Sequence, residues 1–516
     1  MIGFPLTAAG IDVGSNAMRL IVAEFTAPSS FVSLAEQRTP VRLGASVFTP
    51  GAVLGDDIIQ AAVDALAVFH QRMQSRGVQV YRATATSAVR EAHNGRVLVD
   101  RVRLETGIEL ETITSGEEAR LVWLAVSNKL PVAGRQWAFI DLGGGSVEIA
   151  HADGSVVLWS ESHAMGAVRL LAELGPSARD PRHLRRLAGE YIDTLVSRIA
   201  LDAGGLSGLV ATGGNIEELA RLGGAKPDET GIARLPLKDL RETIEKLAGM
   251  SAEERVARLR LRPDRADVVL PAALVYERIA RLARVTELIV PHVGVKEGLL
   301  LDAVHIASGH DAHLDRQQRE VLTGAIALGR RYLFNEAHAR QVTRLAISLF
   351  DQLGGEMQLD DDDRLILLAA GILHDIGQYI SYHRHHKHSF YLICNASLPD
   401  LTPRATLLVA LVARYHRRAE PSPEHEGFSE LDDDEQWRVT RLASLLRVAD
   451  ALDRQHRQHV VKVKARVADD RLRLTVTTRG DMDLEEWALE KKAQLITRVL
   501  GVRLAVTIRQ QDESRL

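Results

Sequence analysis

The stretch AFIDLGGGSVEIA, residues 138–150, places three consecutive glycines between two short apolar segments. Both flanks have the composition of buried β-strands. Glycine weakens a strand because it loses backbone entropy on folding and has no side chain to pack. The run therefore marks either a tight hairpin turn or a place where the backbone approaches a ligand closely.

A second stretch, GIDVGSNAMRLIVAE at residues 10–24, repeats this pattern. Both share an apolar residue, an aspartate, an apolar residue and a glycine, followed by small residues and an apolar strand. Turns of small residues expose consecutive backbone amides, which bind anions such as phosphate. Asp12 and Asp141 stand at the strand ends, where a carboxylate would hold a hydrated divalent cation. The repeat predicts two related lobes that face each other across a phosphate-binding cleft.

The order of predicted elements separates two regions of the chain. Strands alternate with helices through residue 304, which is typical of an α/β fold. The polar stretch 305–315 interrupts the pattern and predicts a boundary. Helical periodicity then covers residues 316–455, and from residue 458 a hairpin, a helix near 483–499 and a strand predict a small α+β domain.

Composition limits the class of protein. The chain has 516 residues, which suggests three or four domains. Its only cysteine, Cys394, excludes an internal disulfide and favours a reducing compartment. We find no apolar run near the roughly 18 residues of a membrane helix and no signal-peptide pattern. We therefore expect a cytoplasmic protein with no membrane partner; the net charge of −4 does not indicate a specific nucleic-acid partner.

Six motifs carry a resemblance to a known family. In chain order they are GIDVGSNAMRLIVAE, RATATSAVREAHN, TSGEEARL, FIDLGGGSVEI, VATGGNIEEL and VKEGLLLD. They resemble the exopolyphosphatase / guanosine pentaphosphate phosphohydrolase family, which has the fold of actin, sugar kinases and heat-shock chaperones. The resemblance implies release of terminal phosphate from polyphosphate or guanosine pentaphosphate, with Mg²⁺ or Mn²⁺ as cofactor, by a homodimer.

The resemblance also implies a domain plan. It predicts an α/β fold of two actin-like (ribonuclease H-like) lobes with a phosphate cleft between them, then an all-α HD-like domain and a small α+β domain. The predicted ranges are 8–126 and 127–304 for the lobes, 314–456 for the helical domain and 457–516 for the small domain.

The predicted cleft residues fall into three groups. The amide turns and the VATGG loop would bind phosphate through Gly14, Ser15, Asn16, Gly143, Gly144, Gly145, Ser146, Gly213 and Gly214. Metal ligands would be Asp12, Asp141 and Glu148; because side chains alternate along a strand, Glu148 shares a face with Ser146.

Two further residues match catalytic positions of the family. Glu118 matches the family's catalytic glutamate and would act as a base, but Ser115 and Glu118 also have the spacing of a helix capping box. Arg90 matches the family's phosphate-contacting arginine, although an arginine here is also compatible with a plain surface position.

The helical region contains a second candidate site. His374 and Asp375 lie at the end of an apolar helix, with His338 one helix earlier and Asp450 later. This order resembles the HD phosphohydrolases, whose four residues converge on a divalent metal, and imidazole and carboxylate suit such ions. The set is either a second active site or a metal site of structural value only.

Other histidines lie near this set in the sequence. His388 and His416 are candidates for further ligands or phosphate contacts. The pair His310–Asp311, in the predicted boundary loop, is interpreted as a chance occurrence.

Three functions are consistent with these patterns. The first is an exopolyphosphatase or guanosine pentaphosphate phosphohydrolase that uses the cleft between the lobes. The second is a nucleotide phosphohydrolase, for example for ppGpp, that uses the HD-like domain. The third is a polyphosphate or nucleotide sensor that binds without turnover. Glu118 and His374 distinguish the first two, because each function depends on only one of them.

Overall fold

A computed structural model describes residues 3–49, 51–154, 156–174, 181–196, 205–308, 310–396, 398, 400–417 and 419–511. The chain divides into two compact units, Met1–His313 and Leu314–Leu516. The division falls within the polar stretch 305–315, but a helix begins at His310. Our placement of His310–Asp311 in a loop is therefore wrong. Polar residues do not end a helix when proline and glycine are absent from the following turns.

The first unit contains two sheets, and the first of them has five strands. These are β1 (Leu6–Val13), β2 (Met18–Ala27), β3 (Ser30–Thr39), β4 (Val80–Ala85) and β5 (Leu110–Thr112), in the spatial order β3-β2-β1-β4-β5. β1 to β3 form an antiparallel meander, and β4 and β5 continue the sheet in parallel with β1. The central strand β1 is buried along nearly its whole length, as expected for a strand covered on both faces.

The second sheet has the same plan with one added edge strand. Its strands are β6 (Gln136–Leu142), β7 (Val147–Asp153), β8 (Val156–His163), β9 (Leu206–Thr212), β10 (Ala233–Pro236) and β11 (Glu287–Val290), in the order β10-β11-β9-β6-β7-β8. β6 to β8 form the meander, and β9 and β11 are parallel to β6. The order β8-β7-β6-β9-β11 thus repeats β3-β2-β1-β4-β5.

The repeat extends to the register of single residues. Asp12 on β1 pairs with Arg19 on β2, and Asp141 on β6 pairs with Glu148 on β7. Each aspartate is the last residue but one of its strand. The two glycine turns therefore connect equivalent strands of two sheets with one topology, as their shared pattern predicts.

Helices cover the faces of both sheets. In chain order they are α1 (Gly44–Val47), α2 (Asp56–Ser75), α3 (Ser87–Glu91), α4 (Gly95–Thr106), α5 (Ser115–Lys129), α6 (Ala167–Leu174), α7 (Pro181–Val196), α8 (Gly214–Leu222), α9 (Leu237–Ala248), α10 (Ala252–Leu259), α11 (Pro263–Ala266), α12 (Val269–Leu282) and α13 (Val295–Ser308). The predicted boundary between residues 126 and 127 falls inside α5. A boundary there is excluded because the helix continues through Lys129.

Helix α13 packs against β1 and α5, so the end of the unit completes the first lobe. Glycines allow this close approach. A Cβ on Gly298 would lie 2.0 Å from the backbone oxygen of Leu121, and one on Gly10 would lie 2.4 Å from that of Lys296. The predicted second lobe, 127–304, therefore contains a helix that belongs by packing to the first sheet.

A buried network of ion pairs joins the same elements. Arg120 on α5 pairs with Asp302 on α13 at 2.9 Å and with Glu117 at 2.7 Å. Arg82 on β4 contacts Asp302 at 2.6 Å and Glu117 at 2.8 Å. The two arginines and two carboxylates compensate one another in a low-dielectric environment. The network fixes the rotation of α5 about its axis.

The second unit combines a helical bundle with a small sheet. Its elements are α14 (His310–Arg331), α15 (Glu336–Leu353), α16 (Asp361–Leu373), a 3-10 helix (Ile376–Tyr379), α17 (His385–Cys394), α18 (Pro403–Arg414), α19 (Asp433–Ala451), β12 (Val460–Ala468), β13 (Arg471–Thr478), α20 (Asp483–Lys492), α21 (Gln494–Leu500) and β14 (Arg503–Gln510). β12 and β13 are antiparallel, and β14 is parallel to β13. Bundle and sheet share one hydrophobic core. Within the described ranges, every helix is too short or too polar to span a lipid bilayer.

The close approach of α13 generates a stability prediction. We expect Gly298→Ala to destabilise the protein by about 1–3 kcal/mol, because its new methyl group would meet a backbone carbonyl that cannot rotate away. Denaturant unfolding would measure the loss. Gly294→Ala is the control: a Cβ there has no neighbour within 4 Å among the described atoms, so its effect should stay within about 0.5 kcal/mol. Equal stabilities of the two variants would contradict the packing argument.

Candidate active site

Both glycine turns line one cavity of about 570 Å³ in the first unit. The sheets contribute equivalent strand ends to its wall, and α5 and α8 complete it. The predicted residues in the wall are Asp12, Gly14, Ser15, Asn16, Glu118, Asp141, Gly143, Gly144, Gly213 and Gly214. The structure thus brings together residues that are up to 202 positions apart in the sequence, from Asp12 to Gly214.

The first turn is closed by a hydrogen bond that Gly14 N donates to Ala17 O at 3.3 Å. The Ser15 hydroxyl lies 2.9 Å from that of Ser87 at the start of α3. The Asn16 side chain accepts a bond from Arg42 Nε at 3.0 Å and donates to the backbone oxygen of Asp264 at 3.1 Å. Its amide group is therefore engaged by protein, and only its backbone remains for the predicted phosphate contact.

The second turn has the same closing bond, from Gly143 N to Ser146 O at 3.1 Å. Its carbonyl groups accept bonds from the start of α6: Ala167 N donates to Gly143 O at 3.1 Å, and Val168 N donates to Gly144 O at 2.8 Å. Because Gly143 N closes the turn and helix α6 takes these carbonyls, the amides that follow Gly143 are the polar groups of the turn that remain for a ligand.

Two predicted residues of this turn lie outside the cavity wall. A Cβ on Gly145 would lie 2.2 Å from the ring of Phe48 and 2.5 Å from the Ser87 hydroxyl, so glycine is required there for packing. The Ser146 hydroxyl donates a hydrogen bond of 2.6 Å to Glu148 Oε1. The Ser146 hydroxyl thus supports a carboxylate, and phosphate binding by the backbone amides of Gly145 and Ser146 stays a prediction.

The predicted Gly213–Gly214 loop connects β9 to α8. Gly213 has a φ of +99°, and a Cβ there would lie 2.5 Å from the backbone oxygen of Leu142. Both requirements are met only by glycine. The turn places the first residues of α8 in the cavity wall, where helical amide groups favour an anion.

Three buried carboxylates, Asp12, Glu118 and Asp141, line the cavity, and a fourth, Glu148, lies directly behind them. Glu118, Asp141 and Glu148 each offer an oxygen atom within 4.8 Å of the others. Asp12 belongs to the equivalent strand end and lies 3.5 Å from Arg19. Glu148 is fully buried.

Glu118 is not a capping residue. Helix α5 is capped by Thr114, whose hydroxyl accepts a bond of 3.0 Å from Glu117 N. The predicted Ser115 capping box is therefore wrong, because the chain enters the helix one residue earlier. The other face of α5 presents Glu117 to the arginine network, and this rotation directs Glu118 into the cavity.

Arg90 lies beside Glu118 and not in the cavity wall. Its Nη1 is 3.6 Å from Glu118 Oε2 and donates a bond of 2.7 Å to the backbone oxygen of Ile113. The Arg90 side chain is 25% exposed, which is less than expected for an arginine that lies free on the surface. In this geometry its partner is the glutamate, and its role as a phosphate contact stays a prediction.

Burial raises the pKa of each of the four acids. It raises the pKa of Asp12 to about 6, against the opposing charge of Arg19. It raises that of Glu148 to about 7, with the charge of Asp141 adding to the effect. Burial and then Glu148 raise the pKa of Glu118 well above its usual value, and burial raises that of Asp141 against its hydrogen bond from Thr212.

The carboxylate cluster fits a hard divalent cation. Glu118 Oε2 and Glu148 Oε2 are buried oxygens to which no described residue donates a hydrogen bond. The remaining oxygens are oriented by hydroxyl groups: Thr212 donates to Asp141 at 2.6 Å, and Ser162 donates to Glu148 at 2.9 Å. An all-oxygen donor set of this charge is suited to Mg²⁺ or Mn²⁺.

Sequence reasoning missed the basic part of the wall. It consists of Arg19, Arg38, Arg262, Arg265 and Lys296. Burial, and then the charges of Arg262 and Arg19, lower the pKa of Arg265 to about 10. The sequence repeat could have identified Arg19. When the two hairpins are aligned, Arg19 takes the position that Glu148 has in the second hairpin.

The second unit brings together the predicted set of His338, His374, Asp375 and Asp450. His338, His374 and Asp450 offer ligand atoms within 4.8 Å of one another, and so do Asp375, His385 and His416. His416 is thus at the cluster as predicted. His388 is not in these groups; His385 occupies that place, because it begins α17 and the turn of the helix carries residue 388 elsewhere.

The charges in this cluster are strongly coupled. Burial lowers the pKa of His416 to about 3 and that of His374 below its usual value. Burial opposes a charge on His338 as well, but the carboxylates of Asp450 and Asp453 raise its pKa to about 9. The cluster therefore attracts positive charge while two of its imidazoles remain neutral.

Comparisons with known proteins agree with this geometry. A family model described as the Ppx/GppA phosphatase family matches residues 21–307, and one described as Ppx/GppA phosphatase, domain III, matches residues 322–497. Exopolyphosphatase 1 of Mycobacterium tuberculosis is 31% identical to this chain over 301 residues, which make up 56% of this chain and 86% of that protein.

Two solved structures resemble the first unit. An exopolyphosphatase from Cytophaga hutchinsonii matches with a TM-score of 0.54 and 26% identity, covering 58% of this chain and 97% of its own. A Ppx/GppA family member from Aquifex aeolicus matches with a TM-score of 0.51 and 25% identity, covering 59% and 99%. These matches confirm the α/β fold of two lobes that the glycine turns predict.

The carboxylate cluster generates a binding prediction. We expect Mg²⁺ to raise the free energy of unfolding, by about 2.7 kcal/mol when its concentration is a hundredfold above its Kd. Glu148→Gln should lose most of this shift, because it removes one ligand charge. The same variant should be at least as stable as the wild type in a chelator, since it relieves repulsion among buried carboxylates. Differential scanning calorimetry with and without Mg²⁺ would measure both effects.

Asp153→Asn is the matched control, because Asp153 lies exposed at the end of the same strand β7. It should keep the full Mg²⁺ shift. An equal shift in Glu148→Gln and the wild type would show that Mg²⁺ binds elsewhere.

Proposed function

Because this chain belongs to the Ppx/GppA phosphatase family, we propose that it is an exopolyphosphatase-type hydrolase. In this proposal it releases terminal inorganic phosphate from a phosphoanhydride chain by attack of water. Polyphosphate and guanosine pentaphosphate end in the same bond, and the proposal includes both. The observation that carries it is the convergence of two amide turns and buried carboxylates in one cavity.

The amide groups would bind the terminal phosphoryl group. The turns at Gly14 and Gly143 come from opposite sheets, and α8 contributes its first residues from a third direction. Backbone amides are fixed by the fold, so they need no reorganisation when charge develops on the phosphoryl oxygens. This arrangement supports phosphate recognition at the end of a chain.

The carboxylates Asp12, Asp141 and Glu148 would hold Mg²⁺ or Mn²⁺. Such an ion, when bound, supplies neutralisation of charge on the transferred phosphoryl group. The hydroxyls of Thr212 and Ser162 keep two of these carboxylates in fixed orientations. Ligands with fixed orientations would hold the metal ion, and through it the phosphoanhydride, in one position for attack.

Glu118 would act as the base that orients and deprotonates the attacking water. It lies in the cavity wall, and its Oε2 is free of hydrogen-bond donors among the described residues. A raised pKa brings a carboxylate closer to the working pH and increases its proton affinity, which favours general base catalysis. Arg90, 3.6 Å away, would limit this rise and keep the ionised form accessible.

The basic wall would bind the rest of the substrate. Arg19, Arg265 and Lys296 line the same cavity as the carboxylates. Burial and the charges of Arg262 and Arg19 lower the pKa of Arg265, and a polyanion bound beside these cations would offset their mutual repulsion. A long phosphate chain supplies negative charge at each unit and so matches a row of cations.

Phosphate release tests the proposal. Long-chain polyphosphate and guanosine pentaphosphate are incubated in parallel with Mg²⁺ and with Mn²⁺, using the wild type and Glu118→Gln. We expect release from at least one substrate, and a loss of roughly 10²- to 10⁴-fold in kcat for the variant, as for removal of a general base. Glu109→Gln, at a largely exposed glutamate, is the control and should be fully active.

Three outcomes would contradict the proposal. Absence of release from both substrates with either metal would reject hydrolysis. Tight binding of polyphosphate without release would favour a sensor. Full activity of Glu118→Gln combined with loss in His374→Ala would move the chemistry to the second unit.

A further inference from the structure

A threonine occupies the same register position in each of the two sheets of the first unit. Thr84 on β4 pairs with Asp12 on β1, and Thr212 on β9 pairs with Asp141 on β6. Residues paired in a parallel ladder point to the same face of the sheet, on strands about 4.8 Å apart. Each strand-end aspartate therefore has a threonine side chain as its direct neighbour.

The two threonines differ in their hydrogen bonds. The Thr212 hydroxyl donates to Asp141 Oδ1 at 2.6 Å. Thr84 is 0% exposed, and its hydroxyl forms no hydrogen bond with any residue in the described ranges. A hydroxyl loses its bonds to water on burial, so an unpartnered one destabilises the folded protein.

The strand around Thr84 gives no packing reason for a hydroxyl. Its neighbours along β4, Ala83 and Ala85, are buried and apolar. Valine has nearly the same shape, is favoured in strands and would carry no polar group that needs a partner. A buried hydroxyl with this cost calls for a partner that it gains in another state of the protein.

The face of β4 that carries Thr84 is the face of the cleft. Arg82 lies two residues earlier on the same face, because side chains alternate along a strand. Its Nη1 contacts Glu117 Oε1 on α5 at 2.8 Å. Thr84 therefore points into the layer between the sheet and α5, where Asp12 and Glu118 also lie.

The residue on the other side of each aspartate explains why only one of the two bonds is formed. Asp12 faces Arg19 on β2, and its Oδ2 lies 3.5 Å from Arg19 Nη1. Asp141 faces Glu148 on β7, and the two offer oxygen atoms within 4.8 Å of each other. Opposite charges attract and like charges repel. Asp12 is thus drawn away from its threonine, whereas Asp141 is pushed towards its own.

We propose that Thr84 is a positioning residue for Asp12 and donates a hydrogen bond to its carboxylate when a divalent cation is bound at the carboxylate cluster. This bond repeats the one from Thr212 to Asp141 on the equivalent strand. The inference rests on the proposed function, which assigns Asp12 as a metal ligand.

A bound cation changes which neighbour Asp12 prefers. The cation repels the Arg19 guanidinium but does not repel a neutral hydroxyl. A carboxylate has two oxygens, so one of them can contact the cation while the other accepts a hydrogen bond from Thr84. Hydrogen bonds of this kind fix the orientation of a metal ligand, and their loss weakens metal binding by about 10- to 100-fold.

Thr84→Val tests the proposal, because it removes the hydroxyl and keeps the shape. We expect two effects of opposite sign. In a chelator the variant should melt about 2–4 °C above the wild type, since it buries no unpartnered polar group. Its Kd for Mg²⁺ should rise about tenfold, since Asp12 loses a donor. Differential scanning calorimetry measures the first effect, and isothermal titration calorimetry measures the second.

Two further variants are controls. Thr84→Ser keeps a hydroxyl at the same position and should bind Mg²⁺ about as tightly as the wild type. Thr212→Val removes a hydroxyl that is already bonded, so it should melt below the wild type in a chelator. A purely structural role for Thr84 would make the two valine variants change the melting temperature in the same direction.

Asp12→Asn separates this proposal from the proposed function. Weaker Mg²⁺ binding by Asp12→Asn together with an unchanged Kd in Thr84→Val would overturn the role of Thr84 and leave Asp12 as a ligand. Equal Kd values in Asp12→Asn and the wild type, or no Mg²⁺ binding by the wild type, would overturn both assignments. A lower melting temperature of Thr84→Val in a chelator would show that its hydroxyl already has a partner, which would overturn this proposal alone.

Discussion

Repulsion among four buried carboxylates is the constraint on which the first unit depends. Two sheets and a helix place Asp12, Glu118 and Asp141 in the wall of one cavity, and the buried Glu148 lies beside Glu118 and Asp141. Burial of an uncompensated charge costs several kcal/mol, so such a group must be protonated, paired or bound to a cation. The raised pKa values express this cost. Hydrogen bonds from hydroxyl groups and the charges of Arg19 and Arg90 reduce this cost only in part. A bound divalent cation would compensate the remaining negative charge.

Divergence at one register position turns a symmetric repeat into an asymmetric site. The residue opposite the strand-end aspartate is Arg19 in the first sheet and Glu148 in the second. Asp12 is thereby partly neutralised, whereas Asp141 gains a second carboxylate and a bond from Thr212. One hairpin favours an anion beside its aspartate, and the other favours a cation. A phosphate–metal complex requires an anion-binding and a cation-binding environment next to each other. The duplicated fold provides these two environments at equivalent positions of its two hairpins.

The parts of the site that sequence could predict are those governed by short-range pattern. The alternation of strand residues and the glycine turns located Asp12, Asp141, Glu148 and the amide groups. Choices that depend on distant partners could not be predicted. Thr114 and not Ser115 caps α5, because the register of the helix is fixed by packing.

The adjacent acids Glu117 and Glu118 show the same limit. Arg82 and Arg120 decide which of the two acids faces the cavity, and Arg82 belongs to strand β4, which is distant from α5 in the sequence. His385 rather than His388 reaches Asp375 and His416 in the second unit for a similar reason, since the start of a helix determines which of several nearby histidines points inward.

The carboxylate cluster of the cleft and the histidine–aspartate cluster of the second unit also differ in donor type. The cleft offers oxygen alone, and the second unit offers mostly imidazole nitrogen. The donor set of the cleft therefore suits a hard ion such as Mg²⁺, whereas the imidazole-rich set of the second unit suits borderline ions.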